Sequence, residues 1–114
     1  MSSILQDVKK LLHIPAEYDA FDTDITIHIN SAFSTLHQLG VGTTNPFSIT
    51  DSDSEWVDFT QSNTAINSVK TYIWAKVKLA FDPPATSFHL EALNNICKEL
   101  EYRLNTESEA KPNV

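Results

Sequence analysis

A proline pair, Pro83-Pro84, separates two long amphipathic stripes and constrains this chain more than any other feature. Proline has no backbone N–H to donate, and the residue before it is pushed out of the helical region. One helix must therefore stop near Phe81. Ser87, three residues beyond the pair, is a residue type that starts another. A tight hinge between two helices follows from residues 81–104, FDPPATSFHLEALNNICKELEYRL.

The same reading extends along the chain. Ile4, Leu5, Val8, Leu11 and Leu12 recur at helical spacing, so the first helix spans about Ser3 to His13 and stops before Pro15. Gln6, Asp7, Lys9 and Lys10 fall outside that stripe. Asp22 is placed to cap a second helix, with Asp24 in its first turn. Ile25, Ile29, Ala32, Phe33, Leu36 and Leu39 line its apolar face, and Ile27 lies off it. Gly40 stands where a C-cap glycine would. Both glycines of the chain, Gly40 and Gly42, and Pro46 fall in the connection over 40–54. Phe47 and Ile49 alternate with Ser48 and Thr50 there, which suits a short extended piece whose tip packs on this domain or on a neighbour.

A short helical turn carries Trp56, Val57 and Phe59. Asn63 or Thr64 then caps the third long helix, which runs to about Phe81. Ile66, Val69, Ile73, Val77 and Ala80 form its buried face. Trp74, Lys70 and Lys78 lie on another face, so this helix is expected to be covered on more than one side. Leu90, Leu93, Ile96, Cys97, Leu100 and Leu104 make the stripe of the fourth. The expected fold is all-α: a small bundle of about four helices, with a long loop between the second and third. Residues 1–104 form a single helical domain, and 105–114 a mobile, polar C-terminal tail.

Composition narrows the function. The chain has 114 residues, 41% of them hydrophobic and 20% charged, enough for one self-sufficient core. A single cysteine excludes an intrachain disulfide and favours a reducing compartment. No apolar run approaches the ~20 residues of a membrane span, and a secretory leader is not expected from MSSILQDVKKLLHIP. The formal net charge of −7 argues against a protein that grips nucleic acid. It suits a surface that DNA must pass, since like charges repel within about 8–10 Å at physiological salt.

Motifs for chemistry are missing. Residues 51–59, DSDSEWVDF, begin like a calcium loop, but Trp56 occupies the glycine position and Ser62 the place of the bidentate glutamate. His13, His28, His37 and His89 lack metal-ligand spacing. Cys97 lies on an apolar stripe, which suits a buried core thiol. There is no phosphate-binding glycine loop and no nucleophile elbow. No enzyme activity, metal or cofactor is expected. Lys70, Lys76 and Lys78 cluster on the third helix, as a solvated face or as the mate of an acidic patch on another subunit. The candidate interface set is Phe47, Ile49, Trp56, Phe59, Lys70, Trp74 and Lys78, with Pro83 and Pro84 as the hinge.

The segments ILQDVKKLLHIP, FDTDITIHINSAFSTLHQLGVG, VKTYIWAKVKLAFDPP and LNNICKELEYRL together resemble the head–tail connector (adaptor) proteins of tailed bacteriophages. The resemblance covers about residues 3–104, and its most specific part is the helix, FDPP, short break and helix ending ELEYRLN. It implies a structural virion protein at the head–tail interface, assembled in the host bacterial cytoplasm. Such proteins form rings of about twelve copies, closed by a heterologous interface between unlike faces. The ring docks on the portal protein, extends the DNA channel and gives stopper or tail-completion proteins a platform. Double-stranded DNA passes through without specific binding. The alternatives are another morphogenesis factor, such as a stopper or tail-completion protein, and a small helical nucleic-acid-binding regulator. The regulator would need a basic recognition helix, for which the three lysines are the only candidate.

Overall fold

The computed structural model of the chain describes residues 3–40, 47–50, 53–59 and 66–110. It is all-α. Four helices, α1 (Ile4–Leu11), α2 (Asp22–Gln38), α4 (Ile66–Phe81) and α5 (Ser87–Ala110), are joined by the one-turn α3 (Trp56–Phe59). Helix α4 is central. It packs against α2 and α5, and α1 lies against α2 and α4. Gly42, Pro46, Asp51 and the Asn63 or Thr64 cap lie outside the described residues, as do the last four residues of the expected tail. Its first six extend α5 as far as Ala110 instead of ending the helix at Leu104.

Double packing explains why α4 reads differently from its neighbours. Val69, Ile73 and Val77 are buried as the stripe demands, and Tyr72 and Ala75 are buried beside them. A helix enclosed on two sides needs an apolar arc wider than one stripe. Its end is less enclosed, and Ala80 is exposed rather than buried. Helix α5 packs chiefly on α4, and Leu93, Cys97, Leu100 and Leu104 are buried, a narrow 4-3-4 seam. Ile96, formally part of that stripe, sits at its edge and remains exposed.

Helix α1 has eight residues, too few to hold together alone in water. Packing stabilises it: Ile4, Leu5, Val8 and Leu12 are buried, each worth about 1.5–3 kcal/mol relative to exposure. Leu11 is exposed because the helix ends before anything can cover it. Ser3 caps the start, its Oγ accepting from the Gln6 N–H at 3.3 Å. The end is a Schellman motif. His13 adopts φ 64°, its N–H donates to Lys10 O at 3.0 Å, and the Ile14 N–H donates to Lys9 O at 2.9 Å. The stop is thus made two residues before Pro15. Gly40, at φ 81°, ends α2 the same way, donating to His37 O at 3.0 Å.

Lys9 overturns the polar-face reading of α1. It is fully buried. Its Nζ donates to Ala16 O at 3.1 Å and Tyr18 O at 2.8 Å, and pairs with Asp22 Oδ1 at 2.8 Å. Asp22 Oδ1 accepts no hydrogen bond, so charge rather than bond direction holds that third contact. Asp22 is consequently not the α2 cap. It is the first helical residue, and Phe21 occupies the N-cap position with no side-chain bond.

Urea unfolding of three single variants and one double variant tests this arrangement. Lys9→Met leaves two carbonyls without a donor and lowers stability by about 2–4 kcal/mol. Asp22→Asn strips a buried ammonium of its counter-charge and costs about 3 kcal/mol, and the double variant loses less than the sum. His13→Gly relieves the left-handed position. It raises stability by up to about 1 kcal/mol, seen as a higher urea midpoint with an unchanged slope.

Candidate interaction surface

Three of the seven residues singled out for an interface, Phe47, Trp56 and Phe59, are gathered into one aromatic cluster. Phe33 of α2 is its centre, with ring centroids 4.9 Å from Phe47, 4.7 Å from Phe59 and 6.4 Å from Trp56. Phe47 and Phe59 meet edge-on at 5.4 Å. Each such pair adds about 0.5–1.5 kcal/mol beyond its buried area. Ile49, Trp56 and Phe59 are buried within the single chain, and Phe47 is half-buried against the same core.

Polar contacts fix the loop onto the helices. Asn30 clamps Ile49 at both main-chain groups: Oδ1 accepts from its N–H at 2.7 Å, and Nδ2 donates to its carbonyl at 2.9 Å. The Trp56 indole N–H donates to Asp7 Oδ2 at 2.7 Å, tying α3 to α1. Ile4 N donates to Ser54 O at 2.9 Å, and Ser3 and Glu55 form an isolated antiparallel bridge. Ser3, Ile4 and Asp7, at the start of α1, are therefore engaged with residues 54–56.

The lysines of α4 are engaged inside the chain. Lys70 Nζ lies 5.5 Å from the Trp56 ring centroid, a cation–π contact. Lys78 pairs with Asp82 at 3.0 Å, and Lys76 stands 4.0 Å from Glu101 and 6.0 Å from the Tyr72 ring. Trp74 is half-buried against the core, and its Nε1 has no hydrogen-bond partner among the described residues. The connection from α4 to α5 holds an exposed Pro83 and a half-buried Pro84. Thr86 Oγ1 then accepts from the His89 N–H at 3.3 Å and caps α5.

The apolar side chains that do reach solvent are mostly different ones. Tyr18, Phe21, Ile27, Phe88, Ile96 and Tyr102 are exposed, Phe88 by 76% and Tyr102 by 73%. Phe88 and Tyr102 are fourteen residues apart, which places both on the outward face of α5. Ile27 was visible in sequence as an off-stripe residue. Phe88 and Tyr102 were not singled out, although both lie off the leucine seam. Beside them, Ile96, Glu99, Leu100 and Arg103 of α5 and Asn67, Ser68 and Thr71 of α4 line an open groove of about 250 Å³.

No group of three or more His, Cys, Asp or Glu side chains among the described residues is placed to hold a metal. Cys97 is buried. Burial pushes its thiol pKa up, Lys76 pulls it down and Glu101 adds to the rise. The Tyr72 hydroxyl donates to Glu101 Oε2 at 2.7 Å. Burial, this bond and the Glu101 charge all raise the Tyr72 pKa, against a smaller opposing bond with Thr35.

Both groups make the fold alkali-sensitive. In the unfolded chain the thiol ionises from about pH 8.5 and the phenol from about pH 10, while the folded forms hold their protons. Above those values the folded state binds more protons, so stability falls as pH rises. The urea midpoint should drop above about pH 8.5, and Cys97→Ala should remove the lower part of that fall. Native Cys97 should react with a thiol reagent only as fast as the fold opens.

The sequence pattern that describes the phage connector protein family matches residues 4–111, almost the whole chain. No curated protein and no solved structure matches it. The match runs through every helix described above and through the Pro83-Pro84 break between the last two, and on it the chain belongs to the phage connector protein family.

Proposed function

We propose that this phage connector protein works as a head–tail adaptor, forming a ring that docks on the portal and carries the stopper or tail-completion protein. The family match over 4–111 is the observation that carries this reading. A structural connector role and a place in the virion follow from the family itself. Among the described residues no helix is long and apolar enough to cross a membrane.

The surface suits a ring. A heterologous interface needs two unlike faces on one subunit. The outward face of α5, with Phe88 and Tyr102, and the groove between α4 and α5 supply apolar and polar surface that this chain leaves uncovered. Of the candidate set, Phe47, Lys70, Trp74 and Lys78 keep part of their surface open to a neighbour, while Ile49, Trp56 and Phe59 support them from within. The net charge of −7 suits a channel that lets DNA pass without holding it. Residues 1–104 act as one domain, and assembly takes place in the host cytoplasm before heads and tails join.

Deleting the gene in its parent phage and imaging the lysate by electron microscopy tests the reading. Filled or emptied heads and complete free tails should accumulate separately, and added protein should restore joined particles. Normal infectious particles would overturn it. Binding to tails but not to portals would point to a stopper or tail-completion role.

A further inference from the structure

We propose that the turn between α1 and α2 is a docking surface for a basic, arginine-bearing segment of a different protein. Three rings form its centre. Phe21 meets Tyr18 edge-on at 5.6 Å and Phe81 at 5.2 Å. Tyr18 and Phe21 are exposed by 48% and 39%, so this chain leaves the cluster open.

Phe21 stands at a position that should hold another residue. The N-cap of a helix favours Ser, Thr, Asp or Asn, whose side chain satisfies a free N–H. Phe21 makes no such bond, and it remains in reach of solvent. Its edge-on contact with Phe81, which packs on the core, covers part of the ring, and the rest stays open to a partner.

Charge identifies the partner. Glu17 and Asp19 flank Tyr18, Asp22 and Asp24 follow Phe21, and Asp82 follows Phe81. Two of these five are already paired, Asp22 with the buried Lys9 and Asp82 with Lys78, which leaves Glu17, Asp19 and Asp24 as the acids of the turn uncompensated among the described residues. Exposed aromatic rings on an acidic turn suit guanidinium groups, which stack on rings and pair with acids. Phosphate and anionic lipid are repelled by the same charge. A second copy of this chain has little to offer. Lys70, Lys76 and Arg103 are engaged with Trp56, Glu101 and Glu99, and among the described lysines and arginines Lys10 and Lys98 have neither an ion pair nor a cation–π contact. The Lys9 clasp on Ala16 O and Tyr18 O holds the turn in place, so the surface is preformed and present in an isolated subunit.

The test is an amide-resolved NMR titration of the full chain with a short amphipathic peptide carrying arginines on one face and leucines on the other. Its counterpart with glutamate in place of arginine serves as control. Shifts should centre on residues 17–24 and 79–84, weaken as salt rises, and vanish with the glutamate peptide. Phe21→Ser supplies a capping hydroxyl that offsets part of the lost ring contacts, so it should keep the helical spectrum while weakening binding at least tenfold. Asp19→Lys with Asp24→Lys should do the same through charge, and Phe88→Ser should leave binding unchanged. Shifts centred on Phe88 and Tyr102, equal binding of the glutamate peptide, or full binding by Phe21→Ser would overturn the proposal. None of these outcomes bears on ring formation or head–tail joining, which stand or fall on the deletion experiment.

Discussion

A lysine ammonium taken out of water must find partners for its charge and its protons, and in this fold that demand fixes the amino-terminal half. Lys9 projects from α1 into a pocket closed by the main chain at Ala16 and Tyr18 and by the Asp22 carboxylate. One side chain thereby sets three things: where α1 lies, how residues 15–21 turn back, and where α2 begins. Helix α1 is too short to resist displacement alone, and the turn has no regular structure of its own. Buried ion pairs often add little net stability, because desolvation cancels attraction. Their effect can be selective: an arrangement that withdrew Asp22 and both carbonyls while Lys9 stayed buried would leave the ammonium unpaired.

The apolar pattern showed the helices clearly, and it failed where a helix changed its number of neighbours. Val69, Ile73 and Val77 were legible because α4 is enclosed, and Leu93, Cys97, Leu100 and Leu104 because any α5 partner must meet that seam. Leu11, Ala80 and Ile96 share the right spacing but lie at helix ends or stripe edges, where nothing comes to cover them. Spacing along a helix says which side chains share a face. It does not say how wide the covering surface is. Lys9 was misread for a related reason. It stands four residues after Leu5 and three before Leu12, both buried, so helical geometry already put it on the inner face. Only its charge argued otherwise, and Asp22 and two carbonyls, distant in sequence, answer that charge.

The capping signals divide in the same manner. Ser3 and Gly40 act as their residue types suggest, because a hydroxyl or a left-handed glycine needs nothing beyond its own helix end. Asp22 does not cap, because Lys9 draws its carboxylate into the interior and moves the cap to Phe21. His13 takes a left-handed conformation that sequence would assign to glycine or asparagine, and the Lys9 and Lys10 carbonyls accept the main-chain bonds that close this turn. Local preference thus yields wherever a long-range contact is stronger, and the places where it yields surround one buried charge.

The carboxyl-terminal half obeys a different constraint. The molecule measures 43 × 35 × 19 Å, so its short dimension is about two helix diameters. In so thin a body a helix has few neighbours, and α5 illustrates the consequence. At 24 residues it is about 36 Å long, against about 24 Å for the 16-residue α4 on which it packs. Beyond that seam, Asn105 Nδ2 reaches Leu39 O at 3.1 Å and fastens α5 to the end of α2. The Pro83-Pro84 break forces α5 to return along α4, but it does not enclose the outer face of α5. Phe88 and Tyr102 stay in water in the single chain for that reason. Burying them would require another molecule, because no second described helix of this chain reaches the outer face of α5.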